Sequence, residues 1–391
     1  MTQDEFDQYV LPTYPRFPIT ITKGDGSYIY DDKGKAYLDF LSGWGVSNLG
    51  HRPKPVVDAV TAQLKLLIHV PNVFYLEPQG RLAKLLVENS IEGKVFFGNS
   101  GAEANEAAIK FAKLYGRGRR HTIITAERSF HGRTTAAMAA TGQSSVKEGF
   151  EPHLEGFVHV PFNDVAALRS AVNDDTVAIM VELVQGEGGI HIATPRYAAA
   201  IRQLCDAKDI LLIVDEVQSG MGRTGTLFAY QGYGLNPDIV TSAKALASGL
   251  PIGATIVSDK VAKLVRPGMH GSTFGGGSLV AEAAIATLKE VLDPKVQGRA
   301  ALIADLLATK LAGLENKHGC IKQLRQKGLM IGIELDRDSK PIVETCLQKG
   351  LFINSTQTKV IRLLPPLNAA AEEVDRAVSI IDEALTESER P

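Results

Sequence analysis

Seven short apolar runs mark the middle of the chain, and segments with helical spacing of apolar residues separate them. The runs lie at residues 95–97, 122–125, 157–160, 177–184, 211–214, 239–241 and 254–257. Most are continuously hydrophobic and β-branched rather than alternating, which is typical of strands that are covered on both faces. We therefore expect an α/β fold with a mostly parallel seven-stranded sheet between layers of helices.

The two ends of the chain follow other patterns. Turn-forming residues at 24–26 and 31–35 predict a small antiparallel sheet in an N-terminal arm. After residue 280, helical stretches and short strands predict a smaller α+β domain, with strands at 329–335 and 360–364 and a final amphipathic helix near 372–385.

The predicted organisation has three parts. Residues 1–50 form the arm and join the small domain, residues 51–280 form the large domain, and residues 281–391 form the small domain. A chain of 391 residues is long for a single hydrophobic core, which also favours a division of this kind.

The composition favours a small-molecule ligand over a large charged partner. A net charge of −2 gives no electrostatic reason to expect nucleic acid or an anionic membrane. Cys205, Cys320 and Cys346 fit neither a disulfide framework nor a zinc cluster, so we expect a reducing compartment. The acidic N-terminus does not resemble a signal peptide, and no long apolar stretch predicts a membrane helix. These observations predict a cytoplasmic protein.

Two chemically informative residues follow predicted strands. Asp215 ends the run at 211–214, and Lys244 follows the run at 239–241. In a parallel sheet the carboxyl ends of both strands lie at the edge where ligands bind. A pyridoxal phosphate enzyme needs this pair, because the carboxylate keeps the pyridine nitrogen protonated and the lysine forms a Schiff base.

Other interpretations of the same residues remain open. Asp215 and Glu216 are also typical of the acidic pair that holds magnesium in NTPases, but the chain contains no P-loop sequence. Lys244 would equally suit a strand end with its ammonium in solvent. The nine histidines show no metal-binding spacing, so no metal site is expected.

Four further motifs supply candidate binding groups, each with a plainer structural interpretation. Ser100, Gly101 and Ala102 begin a predicted helix and would bind an anion, although a simple serine cap is equally consistent. Phe130 and Arg133 would stack on a flat ring and hold a carboxylate, or be a core aromatic and a surface cation. The loops 182–189 and 270–278 are rich in glycine and would approach a ligand closely or serve as linkers.

Taken in order, these motifs resemble the class III, ω-amino-acid aminotransferases of pyridoxal phosphate fold type I, and most closely the acetylornithine aminotransferase group. The resemblance covers nearly the whole chain and is strongest at residues 185–189, 215–225, 237–246 and 271–276. It implies pyridoxal 5'-phosphate as cofactor. It also implies a homodimer with an active site shared between subunits.

The resemblance assigns cofactor contacts residue by residue. It implies that Lys244 forms the Schiff base and moves the proton, and that Asp215 pairs with the pyridinium. It further implies ring contacts from Gln218, Phe130 and Val217, and phosphate contacts from Gly101, Ala102 and the partner's Thr273, near Ser100.

For the substrates, the resemblance implies that Arg133 and Ser272 hold the carboxylate end of the amino donor. Arg362 would receive the α-carboxylate of glutamate and 2-oxoglutarate. Glu187 would mask Arg362 when an ω-amine is the donor, because a neutralised arginine no longer attracts a carboxylate.

Three departures from the family pattern concern the pocket. Trp44 replaces the Tyr or aliphatic residue that is usual there, Leu183 replaces a proline, and Gly277-Ser278 replaces Asn-Pro. We expect transfer of the δ-amino group of N2-acetylornithine to 2-oxoglutarate. The alternatives are ornithine, succinylornithine, acyl-lysine or 4-aminobutyrate as donor, or a semialdehyde aminomutase that needs no 2-oxoglutarate.

Overall fold

The structure, a computed structural model, describes residues 2–389. Its strands are β1 (Ile21–Asp25), β2 (Tyr28–Asp31), β3 (Ala36–Asp39), β4 (Gly93–Gly98), β5 (Thr122–Ala126), β6 (Phe157–Val160), β7 (Thr176–Val181), β8 (Val184–Gln185), β9 (His191–Ile192), β10 (Leu211–Asp215), β11 (Ile239–Ser242), β12 (Gly253–Ser258), β13 (Ile321–Lys327), β14 (Met330–Leu335), β15 (Leu351–Phe352), β16 (Asn354–Thr356) and β17 (Val360–Leu363).

The α-helices are α1 (Gln3–Tyr9), α2 (Ser42–Gly45), α3 (Lys54–Leu64), α4 (Glu77–Glu88), α5 (Gly101–Tyr115), α6 (Thr135–Ala140), α7 (Val165–Ala171), α8 (Pro195–Lys208), α9 (Asp259–Ala262), α10 (Ser278–Leu292), α11 (Pro294–Lys317), α12 (Lys340–Gln348) and α13 (Ala371–Ser388). Short 3₁₀ helices cover Ser144–Val146, Ala229–Tyr233 and Lys244–Ala247. None of the helices in the described part of the chain is long and apolar enough to cross a membrane.

The central sheet has seven strands in the order β4-β12-β11-β10-β7-β5-β6. Strand β12 runs antiparallel to β11 and β4, and the other neighbours are parallel. The prediction of a mostly parallel seven-stranded sheet is therefore confirmed. The predicted strand at 177–184 is too long at its C-terminal end. Strand β7 ends at Val181, and Val184 belongs to β8, which pairs with β9.

The two faces of the sheet explain the continuous hydrophobicity of its strands. In β10, Leu212 and Val214 belong to one core cluster, while Leu211 and Ile213 belong to the cluster on the other face. Every residue of β10 is buried. Because both faces of the sheet are covered, neither set of alternating side chains reaches solvent. The polar Asp215 appears only at the carboxyl end of the strand.

Both ends of the chain form smaller sheets. Strand β3 pairs with β2 and, in parallel, with β15, which links the N-terminal arm to the C-terminal part of the chain. A four-stranded antiparallel sheet has the order β13-β14-β17-β16. Sequence reasoning missed β13, β15 and β16, since β13 is largely polar and the other two are very short. The proposed domain boundaries at residues 50 and 280 stay a prediction.

Arg223 connects several of these parts of the chain through hydrogen bonds. Its side chain is fully buried and donates hydrogen bonds to the carbonyls of Leu329 and Pro365 and to the side chain of Asn48. Burial lowers the pKa of Arg223 to about 9. The loop after β10, the N-terminal segment and the end of β17 are thereby held in one arrangement.

Candidate active site

A cavity of about 230 Å³ lies beyond the carboxyl ends of β10 and β11. Its walls contain nine of the residues singled out from the sequence: Gly101, Ala102, Phe130, Arg133, Glu187, Asp215, Val217, Gln218 and Lys244. The sheet topology brings them together, since Asp215 of β10 lies level with Thr241 of β11, shortly before Lys244.

Asp215 is buried and held in place by three hydrogen bonds. Its Oδ2 accepts from Asn105 Nδ2 and from His131 Nδ1, both at 2.8 Å, and its Oδ1 accepts from the backbone N–H of Val217 at 3.0 Å. A carboxylate has about four acceptor positions, so one position on Oδ1 remains. That position suits a ligand N–H.

Two further buried groups support this carboxylate. Burial by itself would lower the pKa of His131, but the Asp215 carboxylate, assisted by Glu182, raises it overall. Burial raises the pKa of Glu182 to about 7 although His131 opposes the shift. Glu182 accepts backbone N–H groups from Phe130 at 2.9 Å and Gly186 at 3.3 Å, so it connects two walls of the cavity.

Lys244 stands opposite Asp215 in the same cavity. Its backbone has a φ of 45°, the left-handed region that non-glycine residues rarely occupy. Burial lowers its pKa, partly opposed by the charge of Glu187. The neutral amine, which is the nucleophilic and proton-accepting form, is favoured by that shift.

One end of the cavity is formed by the N-terminus of α5. Ser100 caps this helix by accepting the backbone N–H of Glu103 at 3.1 Å. The N–H groups of Gly101 and Ala102 are left without helical partners, which makes an anion-binding end. A Cβ on Gly101 would lie 2.7 Å from Cγ1 of Val217, so this glycine is required for the close approach.

The opposite end of the cavity holds an ion pair. Arg362 of β17 is fully buried and donates from Nη1 to Oε1 of Glu187 at 2.6 Å. Asn354 accepts from Nε of Arg362 at 3.0 Å and fixes the guanidinium plane. Gln218 donates to the same Glu187 oxygen at 3.3 Å. Burial would raise the pKa of Glu187, but Arg362 and Lys244 lower it overall, so the carboxylate is charged.

Arg133 lies at the mouth of the cavity, exposed, with its guanidinium carbon 5.7 Å from the ring centroid of Phe130. The aromatic ring and the cation expected from the sequence are therefore neighbours. This arrangement places a carboxylate-binding group beside a stacking surface.

Five candidate residues do not line this cavity, and one of them, Arg362, reaches it only through its ion pair with Glu187. Ser100 acts as a helix cap, and the indole of Trp44 is 48% exposed outside the cavity wall. Ser272 and Thr273 lie on the loop before α10, where Ser272 Oγ accepts from Asn99 Nδ2 at 3.1 Å. Thr273 is exposed.

That loop is well held despite its Gly277-Ser278 sequence. The side chain of Asn72 donates to the carbonyls of Ser272 and Gly275, each at 3.0 Å. Gly276 has a φ of 67°, and a Cβ there would lie 2.8 Å from the side chain of Phe97. Gly277 then begins α10 as its N-cap.

Sequence reasoning missed Asn105 and His131, which hold Asp215, and underused Glu182. Asn105 lies four residues after Gly101 in α5, so helical spacing already placed it on the face toward the cavity. His131 directly follows Phe130 and offered no periodic signal of its own.

The residues present fit pyridoxal phosphate. The free acceptor position of Asp215, the side chain of Lys244 and the N-terminus of α5 match a pyridinium N–H, a carbonyl carbon and a phosphate. Nε2 of His131 is buried and has no hydrogen-bond partner among residues 2–389, and no group of potential metal ligands occurs in that part of the chain. The cavity is built for an organic phosphate.

Comparisons with known proteins agree with this geometry. Residues 9–385 match the family Aminotransferase class-III. The chain is 48% identical to an acetylornithine aminotransferase of Caldanaerobacter subterraneus over 97% of this chain and 98% of that one. It is 47% identical to an acetylornithine aminotransferase of Methanocaldococcus jannaschii, covering 97% and 96% of the two chains.

Solved structures give the same result. The ornithine aminotransferase of Toxoplasma gondii, described with partial occupancy of pyridoxal phosphate at its active site, superimposes with a TM-score of 0.93 at 32% identity, covering 99% and 95% of the two chains. The N-acetylornithine aminotransferase of Stenotrophomonas maltophilia gives a TM-score of 0.85 at 34% identity, covering 98% of each. The chain belongs to the class III aminotransferases, and it is a pyridoxal-phosphate-dependent enzyme.

Proposed function

We propose that this aminotransferase moves the δ-amino group of N2-acetylornithine to 2-oxoglutarate, giving the semialdehyde and glutamate, as in arginine biosynthesis. The observation that carries the proposal is the Glu187–Arg362 ion pair, whose carboxylate lines the same cavity as Lys244 and Asp215. Curated relatives at 42–48% identity over nearly the whole chain are acetylornithine aminotransferases, which supports this donor.

When bound, pyridoxal phosphate supplies an electron-withdrawing ring that stabilises negative charge on the carbon losing a proton. Asp215 keeps the ring nitrogen protonated, and His131 and Asn105 hold its carboxylate in position. Phe130 and Val217 would hold the ring from its two sides, Gln218 would bond the ring hydroxyl, and Gly101 and Ala102 would bind the phosphate.

Lys244 has two tasks in this proposal. Its neutral amine would hold the cofactor before the donor arrives, and once released it would accept a proton from one reacting carbon atom and return it to the other. The pKa lowered by burial supports both tasks, because a protonated amine performs neither.

The ion pair at the far end of the cavity accounts for the use of two kinds of substrate. While Glu187 covers Arg362, an incoming α-carboxylate finds no free cation, and the donor turns its ω-amine toward Lys244. Arg133 and Ser272 then hold the carboxylate of the donor. When 2-oxoglutarate binds, Glu187 must turn away so that Arg362 receives the α-carboxylate.

We also propose a homodimer. The segment 64–75 exposes Leu66, Ile68, Val73, Phe74 and Tyr75, with Val73 82% exposed. It is attached to the loop carrying Thr273 through Asn72 and through the rings of His69 and Phe274, whose centroids lie 5.1 Å apart. A continuous apolar surface of this kind is typical of a subunit interface. A second copy would bring its Thr273 to the phosphate end of the cavity.

A cytoplasmic location completes the proposal. The three cysteines, Cys205, Cys320 and Cys346, are buried and unpaired in the structure. Free buried thiols are typical of proteins kept in a reducing compartment.

The test is a screen of half-reactions with the cofactor-loaded enzyme. Each donor is mixed alone with the enzyme, and the change in the absorbance band of the cofactor is followed. N2-acetylornithine should give a higher kcat/KM than ornithine, succinylornithine, acyl-lysine or 4-aminobutyrate. A faster reaction with another donor would replace the proposed substrate.

The full reaction separates transamination from the aminomutase alternative. Product formation should require 2-oxoglutarate and release glutamate in equal amounts. Conversion of a semialdehyde without any 2-oxoglutarate would contradict the proposal. ATP hydrolysis measured in the same preparation should be absent, which tests the NTPase interpretation.

A further inference from the structure

The hairpin formed by β16 and β17 contacts Glu187 at two separate points. Arg362 of β17 binds the carboxylate, as described above. The main-chain carbonyl of Glu187 accepts hydrogen bonds from Oγ1 of Thr356 and Nε2 of Gln357, both at 2.9 Å. Both donors lie at or beside the end of β16, so one hairpin holds the backbone and the side chain of the same residue.

The hairpin turn is itself held in an uncommon conformation. Gln357 and Thr358 have φ values of 49° and 62°, in the left-handed region. Non-glycine residues keep that conformation only where surrounding contacts impose it. Here Ser339 donates from Oγ to the carbonyl of Thr358 at 2.9 Å, and Gln357 also donates to Gln143 Oε1 at 3.1 Å. The turn is therefore a fixed support for the carbonyl of Glu187.

We propose that Thr356 and Gln357 are specificity-determining positioning residues, which clamp the carbonyl of Glu187 and thereby favour the state in which its carboxylate covers Arg362. This inference rests on the proposed use of two substrate types. The clamp reduces the switch to a rotation of the Glu187 side chain, because the backbone on either side of it does not need to move.

The direction of the effect follows from conformational entropy. The covered state requires the loop 186–189 to be ordered so that the carboxylate reaches Arg362, whereas the uncovered state has no such requirement. Without the clamp, ordering the loop costs more free energy, and only the covered state bears that cost. Loss of the clamp therefore uncovers Arg362 more often and favours dicarboxylate substrates over ω-amines.

Thr356→Val is the main test, because valine keeps the branched shape at this buried strand position and removes only the hydroxyl. Ser355→Ala is the matched control. It removes a hydroxyl from the same strand that bonds Ser339 Oγ at 2.6 Å and does not contact Glu187, while Ser339 keeps its own hydrogen bond to the carbonyl of Thr358. Thr356→Ser, which keeps the donor, is the conservative variant.

Two quantities are measured on the cofactor-loaded enzymes. The first is the ratio of kcat/KM for glutamate to that for N2-acetylornithine, each in its own half-reaction. The second is the dissociation constant of glutarate, a dicarboxylate that cannot be transaminated. Thr356→Val should raise the ratio about fivefold and tighten glutarate by a similar factor, the effect of one net hydrogen bond. Thr356→Ser and Ser355→Ala should match the wild type.

The possible failures are distinguishable. The clamp is overturned if Thr356→Val behaves like Ser355→Ala, whether neither variant or both variants shift the kcat/KM ratio and the glutarate affinity. If the wild type converts no ω-amine, the proposed function fails instead. The glutarate measurement still decides on the clamp in that case, because it depends only on how often Arg362 is uncovered.

Discussion

The two ends of the cavity are built in different ways. At the cofactor end, Asp215 is buried and receives its hydrogen bonds from Asn105, His131 and Val217, all within the central sheet and the segments that cover it. At the substrate end, hydrogen bonds from the β16–β17 hairpin hold Glu187 in place. Ser272, which is expected to hold the carboxylate of the donor, lies outside the cavity on the loop before α10.

This difference separates chemistry from selection. The cofactor end has groups fixed by buried hydrogen bonds, which suits a charge that must stay in one place through the reaction. The substrate end has an ion pair that must open and close in the proposed reaction. Changes at the first end should abolish the reaction, while changes at the second should redirect it.

The largest effect is expected from Asp215→Asn. The neutral amide leaves the pyridinium and His131 without their buried anion, and breaking such a pair costs about 3–5 kcal/mol. The rate of the half-reaction should fall by about 10³-fold. The measurement is a single-turnover rate with a saturating donor.

Glu216→Gln is the matched control for that experiment. Glu216 is the next residue and is equally buried, but it accepts from Ser219 Oγ and from the backbone of Tyr230 rather than facing the cavity. Its turnover should stay within about twofold of the wild type. A similar loss in both variants would show general damage to β10 rather than a role for Asp215.

The next effect concerns the completion of the site by a second subunit. Lys244→Ala should be inactive, and Thr273→Glu should be inactive because its carboxylate repels the phosphate. Random mixing of the two variants should restore about a quarter of wild-type activity, since half of the dimers are mixed and each has one intact site. Activity is measured after unfolding and refolding the mixture together.

Two results would contradict the proposed dimeric site. Activity that stays at the level of the separate variants would contradict a shared site. Lys244→Ala mixed with wild type should give about half of the wild-type activity whether or not subunits exchange, and this value controls for recovery after refolding. A monomeric wild-type protein at assay concentration would contradict the homodimer directly.

A smaller effect is expected from Glu187→Ala. Without the carboxylate, Arg362 is permanently available, and the use of glutamate relative to the ω-donor should rise at least about tenfold, the equivalent of one charge-assisted hydrogen bond. Glu187→Gln should lie between the two, because it keeps a weaker contact without the charge. An unchanged ratio of kcat/KM values would remove the switch from the mechanism.

The same contrast decides how much the sequence alone could reveal. The cofactor end was visible because Asp215 and Lys244 end continuous apolar runs, and parallel strands bring their ends together. The supports of Asp215 were not visible, since nothing in the sequence marks the contact between His131 and a residue far along the chain.

The substrate end was harder to predict for a physical reason. Strand β17 was predicted at 360–364, but β16 is only three residues long and carries no hydrophobic period, so the hairpin that holds Glu187 could not be recognised. Ser272 and Thr273 lie on a surface loop outside the cavity, and only the proposed second subunit would give that loop a role in the site. Ser272 and Thr273 were predicted from the resemblance to the family, whereas the sheet was predicted from the pattern of apolar residues.

The last effect should appear in stability rather than in activity, and it tests whether burial at the cofactor end has a cost. Burial raises the pKa of Glu216 from 4.5 to about 7, so the folded state prefers the protonated carboxyl. A raised folded-state pKa gives a stabilising contribution that is complete below pH 4.5 and is lost as pH rises through about 7. Glu216→Gln removes this loss. The variant should gain about 2–3 kcal/mol more relative to wild type at pH 8 than at pH 5, at about 1.4 kcal/mol per pKa unit.

Glu182 shifts in the same direction, but it is present in both proteins and cancels in the difference. The melting temperatures of wild type and Glu216→Gln are therefore compared at pH 5 and pH 8. A gap that widens with pH, together with unchanged turnover, would show that the cofactor end tolerates an unfavourable buried acid beside the functional one. An equal gap at both pH values would mean that Glu216 is already ionised in the folded state, and the contrast between the two adjacent carboxyl groups would then rest on Asp215 alone.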